Sequence, residues 1–180
     1  GKDPTGEIYL LRSQVKRHLK DFIHHYQVPK LREFRTKILG LEQWVDVKKD
    51  SFKLGARLDR VEKRGERTAI IDYKTSANKN YLTIRYHKLD LKNRDSWSEA
   101  IGTLQLPFYL LTYSHLTGEK PEAIDAMFLL LGRTRMDSDI EVPLFKDEPE
   151  FKENFENLTQ IILSLLREVV DPKTPFMPTI

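Results

Sequence analysis

Residues 68–73, Thr-Ala-Ile-Ile-Asp-Tyr, constrain the fold of this chain more than any other segment. The run is short, β-prone and apolar without alternation, as in a strand whose two faces are both covered. Before it, apolar residues alternate from Phe52 to Val61 and predict a second strand, with a turn signal at Lys63-Arg64-Gly65-Glu66. The segment Leu41–Lys48 is compatible with a third strand. Together these features predict a meander whose last strand is central and buried.

Segments with helical periodicity flank the meander. From about Ile8 to Gln27, spacings of four and three place Leu11, Val15, His18, Phe22 and His25 on one stripe. We expect Pro29 to end this helix or to lie just beyond it. The other predicted elements are a helix from the Ser96-x-x-Glu99 capping box to Gly118 that Pro107 kinks or divides, strands over Ala123–Leu131 and Asp139–Phe145, and a helix over Phe151–Val170.

This order of elements predicts an α/β fold, with a central mixed sheet of about five strands flanked by helices. Residues 76–95 show no clear period and mix basic with aromatic side chains. Such a segment is either a loop that contacts single-stranded nucleic acid or an insertion with little structure of its own.

Length and composition exclude several classes of protein. A chain of 180 residues is about one domain. No stretch approaches the roughly 20 apolar residues of a membrane span. There is no cysteine, which excludes zinc–thiolate sites and iron–sulfur clusters within these residues, fits a reducing compartment and leads us to expect a cytoplasmic protein. The 30 basic and 27 acidic residues give a net charge of +3, too small to establish nucleic-acid binding.

Charged residues next to the two central strands are the main candidate for a functional site. Asp59 lies in Gly55-Ala56-Arg57-Leu58-Asp59-Arg60, and Asp72 and Lys74 lie in Ile70-Ile71-Asp72-Tyr73-Lys74-Thr75. If these segments are adjacent strands of one hairpin, the two aspartates lie close together near one end of the sheet. Residues two apart in a strand project from the same face, so Lys74 joins Asp72.

Two carboxylates held close together repel each other unless a cation joins them. Ligation by oxygen alone favours Mg²⁺ or Mn²⁺. Beside a phosphate held by such an ion, a lysine stabilises developing negative charge or orients an attacking water. The alternative is that Asp72 and Lys74 form an ordinary solvated surface pair, which contributes roughly 0–1 kcal/mol to stability.

The chain resembles the RecB-like branch of the PD-(D/E)xK nuclease superfamily, which includes nuclease domains of helicase–nucleases and CRISPR-associated exonucleases. The resemblance rests on the two segments around Asp59 and Asp72 and on Gln105-x-x-x-Tyr109, in the family's order. An upstream helical histidine followed by Leu19 and Phe22 also matches. The resemblance covers about residues 11–176 and implies a restriction-endonuclease-like core.

The resemblance also implies a role for each matching residue. Lys74 would be the catalytic lysine, with Asp59, Asp72 and Gln105 as its catalytic partners. The implied metal ligands are Asp59, Asp72, the backbone carbonyl of Tyr73 and His18, and the implied DNA contacts are Gln105, Tyr109, Arg60 and Thr75. For His18 two alternatives stay open, because a histidine on an apolar stripe is often a core residue and His25 lies on the same stripe.

The function implied is Mg²⁺- or Mn²⁺-dependent cleavage of DNA, with exonuclease action favoured, in repair, recombination or defence. The alternative is an inactive DNA-binding or scaffolding domain of a helicase–nuclease complex. We expect residues 1–180 to be one nuclease domain excised from a longer chain, with a helicase domain or subunit as a partner. In RecB-like relatives a stretch similar to Phe176-Met177-Pro178 often precedes an iron–sulfur cysteine cluster, and we expect the natural polypeptide to continue.

Overall fold

The computed structural model describes residues 6–174, which form one sheet of five β-strands and five α-helices. In chain order the elements are α1 (Glu7–Asp21), a π-helical turn (Phe22–Gln27), α2 (Val28–Phe34), β1 (Lys37–Lys49), β2 (Phe52–Arg64), β3 (Arg67–Lys74), α3 (Arg94–Ala100), α4 (Gln105–Thr117), β4 (Ile124–Leu130), β5 (Glu141–Pro143) and α5 (Glu148–Val170). Phe176–Pro178 lies outside the described residues.

The sheet is mixed and its strands follow the order β1-β2-β3-β4-β5. Neighbouring strands are antiparallel except for β3 and β4, which pair in parallel. A parallel pair needs a crossover connection, and the segment containing α3 and α4 supplies it here. The predicted α/β fold with a mixed five-stranded sheet flanked by helices is confirmed.

Strand β3 is the buried centre of the sheet, as its apolar sequence predicts. Ala69, Ile70 and Ile71 are almost fully buried. Because side chains alternate across a strand, Ile70 joins a core that includes Leu110 of α4, whereas Ile71 joins a second core that includes Phe22. The functional residues at the end of β3 are therefore held from both sides.

The N-terminal helical region continues beyond the predicted boundary. Pro29 does not end it, because α2 runs on to Phe34 and Pro29 lies in the first turn of α2. The preceding π turn breaks the α-helical ladder, and the Val28 N–H bonds to the Ile23 carbonyl five residues back. A proline in the first turn of the next helix is tolerated because its missing N–H has no helical partner there.

The apolar stripe of the first helix packs only in its second half. Phe22 and Tyr26 are buried, but Leu11 and Val15 are exposed and α1 contains no buried residue. Within residues 6–174, no helix combines the length and the apolar character needed to cross a lipid bilayer.

The helix predicted from Ser96 to Gly118 is divided into α3 and α4. The N-cap of α3 is Asn93, whose side chain accepts a hydrogen bond from the Asp95 N–H, so the predicted cap at Ser96 is wrong. Pro107 lies in the first turn of α4, and Gly118 ends that helix with a φ of 71°, as predicted. The division leaves Gln105 at the start of a new helix.

Candidate active site

Asp72 and Lys74 lie on the same side of β3, as their spacing predicts. Asp72 is 3% exposed, and its Oδ2 lies 2.6 Å from Nζ of Lys74. The ammonium group also lies 5.0 Å from the centre of the Phe128 ring, which belongs to β4 and pairs with Asp72 in the parallel register. The lysine is thus held between a carboxylate and an aromatic face.

Helix α4 adds two side chains to this pair. Gln105 accepts a hydrogen bond from Lys74 Nζ at 2.7 Å and donates through Nε2 to Asp72 Oδ1 at 2.7 Å. The same Nε2 lies 2.7 Å from the hydroxyl of Tyr109, one helical turn further on. We call the four side chains Asp72, Lys74, Gln105 and Tyr109 the polar quartet.

Asp59 lies where the pairing of β2 with β3 ends. The last pair in that ladder is Arg60 with Ile71. Beyond it, the Tyr73 N–H donates to Asp59 Oδ2 at 2.9 Å, so a carboxylate accepts the next bond. This contact brings Asp59 to the peptide group between Asp72 and Tyr73.

The surroundings of Asp72 disfavour its ionised form. Burial raises the pKa of Asp72 above its ordinary value, and the charge of Asp59 acts in the same direction while Lys74 opposes both. Burial also raises the pKa of Tyr109, so its phenol stays protonated and able to donate. A cation at this position would relieve the repulsion between the carboxylates.

The other predicted site residues lie in different surroundings. His18 is half-buried, and its Nε2 lies 2.5 Å from the carbonyl of Leu131, whose N–H in turn donates to the Lys74 carbonyl. Thr75 is exposed directly after β3. Arg60 is 6% exposed, and its guanidinium bonds to Gln27, Glu62 and Tyr73. A DNA contact by Arg60 stays a prediction, and it would require this arginine to leave those partners.

A family model for the PD-(D/E)XK nuclease superfamily matches residues 3–179. The chain belongs to this superfamily. Among solved structures, the crystal structure of SSO0001 is 17% identical, covers 88% of this chain and 68% of its own, and has a TM-score of 0.33. That TM-score is too low to support any conclusion about this chain. A search of curated proteins finds no match.

Members of the PD-(D/E)XK superfamily are generally nucleases that use divalent metals. The surroundings of Asp72 indicate whether this chain could bind such an ion. Its buried Oδ2 contacts the Lys74 ammonium at 2.6 Å. A carboxylate oxygen has two lone pairs, so one stays available to a metal ion. With Asp59 and the backbone oxygen of Tyr73, the donor set is the hard oxygen set that Mg²⁺ and Mn²⁺ prefer.

The structure does not bring the full predicted ligand set together. Across residues 6–174, no group of three His, Asp or Glu side chains lies close enough to hold a metal ion. His18, Asp59 and Asp72 therefore do not form such a group, and the role of His18 as a ligand stays a prediction.

Two features of this candidate site were missed from the sequence. Phe128 lies in an apolar run that reads as core, and only the parallel register brings it against Lys74. Gly132 lies so close to the segment after β3 that a Cβ there would be 2.3 Å from the Thr75 carbonyl oxygen. A glycine just after a buried strand was the available signal for such a close approach.

Proposed function

We propose that this domain is a RecB-like nuclease that hydrolyses DNA phosphodiester bonds with Mg²⁺ or Mn²⁺, with exonuclease action favoured. The observation that carries the proposal is the polar quartet, in which one lysine is bonded to a buried aspartate and to a glutamine beside a second carboxylate. The residue types match the motifs of the superfamily, and the contacts join motifs that are far apart in sequence.

Asp59, Asp72 and the Tyr73 carbonyl would hold the metal. The bound ion would supply Lewis-acid charge to the phosphate and acidify a water molecule. His18 is the proposed further ligand. The Leu131 carbonyl can only accept, so Nε2 is the donor in this contact and Nδ1 is the nitrogen that would bind the metal. Metal-binding histidines commonly donate their second N–H to a backbone carbonyl in this way.

Lys74 would stabilise the negative charge that develops on the phosphate. Its ammonium is oriented in advance by Asp72 and Gln105, so little reorganisation is needed at the moment of reaction. Tyr109 and Gln105 would hold Asp72 in position and contact the substrate from the α4 side.

DNA would approach from the end of β3. Thr75 and the basic and aromatic segment 76–95 continue the chain from Lys74, and most of that segment is half-buried or exposed. Backbone N–H groups and hydroxyls can hold phosphates, and aromatic rings can stack on unpaired bases. We propose that this segment contacts the strand being cut and that a helicase domain or subunit supplies the DNA.

The test is a nuclease assay on labelled linear and circular DNA, single- and double-stranded, with Mg²⁺, Mn²⁺ or EDTA. Asp72→Ala and Lys74→Ala should each lower the rate on the order of 10²–10³-fold, because each removes a preorganised charge. Lys53→Ala is the matched control, since Lys53 is an exposed lysine whose one ion pair among residues 6–174 is with Asp46.

Activity in excess EDTA would exclude the metal, and equal rates for wild type and Lys74→Ala would exclude the proposed role of the lysine. DNA binding without cleavage in any metal would support the inactive, DNA-binding alternative. Cleavage of linear DNA with no cleavage of circular DNA would support exonuclease action.

A further inference from the structure

Tyr73 links the two faces of β3. Its neighbours Asp72 and Lys74 belong to the polar quartet, while the Tyr73 side chain packs in the opposite core. There its ring makes an edge contact with Phe22 of the π turn, with the ring centres 6.2 Å apart. The backbone of the same residue donates to Asp59. The orientation of this ring therefore affects the peptide that carries the site.

Arg60 holds the hydroxyl of Tyr73 from the buried side of the sheet. Its Nη1 donates to the Tyr73 hydroxyl at 3.2 Å and to Oε1 of Gln27 at 2.6 Å. Gln27 is the last residue of the π turn. Bonding five residues back widens the helix, so residues five apart, such as Phe22 and Gln27, come onto nearly the same side. The π turn therefore directs an aromatic ring and an amide towards Tyr73 and Arg60.

The cluster around Arg60 is costly in free energy. Glu62 is 1% exposed and contacts both Arg60 and Arg64, so one buried carboxylate is shared by two arginines, and Nε of Arg60 has no hydrogen-bond partner in the described chain. Apolar side chains of similar size often stabilise a fold better than such a buried ion cluster. The contacts of this arginine with Gln27 and Tyr73 point to a role in holding the Tyr73 side chain.

We propose that Arg60 is a positioning residue for the reaction, acting through Tyr73. By holding the tyrosine ring, Arg60 fixes the Tyr73 backbone, whose N–H orients Asp59 and whose carbonyl is a proposed metal ligand. This inference rests on the proposed function. It differs from the expected phosphate contact because the guanidinium is bonded on the core side of the sheet, with 6% of the residue exposed.

Tyr73→Phe is the sharpest test, because it removes one hydroxyl and keeps the ring in its core. We expect kcat to fall about 10-fold or more, with KM for DNA unchanged, and Mn²⁺ affinity to fall by a similar factor, as is typical when partners behind metal ligands are lost. Arg60→Gln should do the same. Arg57→Gln is the matched control, because this arginine lies three residues earlier in β2 and its exposed side chain pairs, within the described part of the chain, with Glu42 alone.

Mn²⁺ affinity is measured by calorimetry on folded protein, and DNA affinity is measured in EDTA over a range of salt. Wild-type kcat and Mn²⁺ affinity in Tyr73→Phe would overturn the inference, even if Arg60→Gln fails to fold. A second result would also overturn it: Arg60→Gln keeps a normal kcat but binds DNA more weakly, and the slope of log DNA affinity against log salt concentration falls by about one. That is the result expected for a phosphate contact. If wild type binds Mn²⁺ but cleaves no DNA, the proposed function fails, and the Mn²⁺ affinity of Tyr73→Phe still decides the positioning role.

Discussion

Asp72 shows a conflict between stability and function at the scale of a single residue. Its pKa is raised mainly by burial, so the folded protein holds the proton more tightly than the unfolded chain does. Below the ordinary carboxyl pKa of 3.8, Asp72 is protonated in both states and does not oppose folding. As pH rises through the raised pKa of the folded state, the buried carboxyl must ionise and the folded protein loses stability. At neutral pH the ionised carboxylate therefore opposes folding.

Asp72→Asn should consequently raise the free energy of unfolding at pH 7 in metal-free buffer while removing nuclease activity. Asparagine is neutral at every pH, so the advantage should shrink as pH falls and disappear once Asp72 is protonated in both states. Urea unfolding in EDTA from pH 3.5 to about 8 measures this difference.

Asp46→Asn is the control for that series. Asp46 lies on the exposed edge strand, 3.0 Å from Lys53, and surface pairs of this kind contribute only about 0–1 kcal/mol. An Asp72→Asn protein that is less stable than wild type at pH 7 would show that the ion pair with Lys74 outweighs the burial of the carboxylate.

At the scale of elements, the π turn separates His18 from the two exposed histidines that follow it. His18 precedes the turn and bonds to the chain after β4, whereas His24 and His25 lie within it and are exposed. In the predicted regular helix His25 shares the stripe of His18, but the wider turn directs Tyr26 and Gln27 inward and leaves His25 outside. The change in helix geometry therefore favours His18 over His25 as the candidate ligand.

We expect His18→Ala to weaken Mn²⁺ binding and His24→Ala to leave it unchanged, as measured by titration of Mn²⁺ into each protein. Loss of a ligand or of its hydrogen-bond partner typically changes metal affinity 10–100-fold. The two substitutions remove the same side chain from neighbouring turns, so His24→Ala is a matched control. Equal affinities would remove His18 from the ligand set, and a defect confined to His25→Ala would place the ligand two turns further along.

At the scale of the whole molecule, one sheet joins two cores. The core on the α4 side and the core on the π-turn side each contain alternate residues of β3, with Ile70 in one and Ile71 in the other. Neither core can open without exposing this strand, so we expect residues 6–174 to unfold in a single cooperative transition without metal.

Calorimetry in EDTA, together with near- and far-ultraviolet circular dichroism, measures this transition, and the midpoints should coincide. Helix α1 is the exception, since it buries no residue, and its amides should exchange with solvent faster than those of β3. Two separated transitions would show that the cores are independent, and a transition seen only with Mn²⁺ would show that the metal is structural.

Short-range spacing accounts for what the sequence determined by itself. The two-residue period of a strand placed Asp72 beside Lys74, and the helical repeat placed Gln105 beside Tyr109. The apolar run identified β3, and Gly65 marked the hairpin turn, where its φ is 57°. In each case the backbone geometry of one element fixes the relation between nearby residues, whatever the rest of the chain does.

The tertiary structure decided every contact between elements that are distant in sequence. The parallel register brought Phe128 under Lys74, the end of the β2–β3 ladder brought Asp59 to Tyr73, and the π turn buried Arg60 beneath the site. These contacts depend on strand register and on a change of helix type, which packing against the whole sheet selects. Local propensity carries no information on either, because both are set by the burial of side chains from several elements at once.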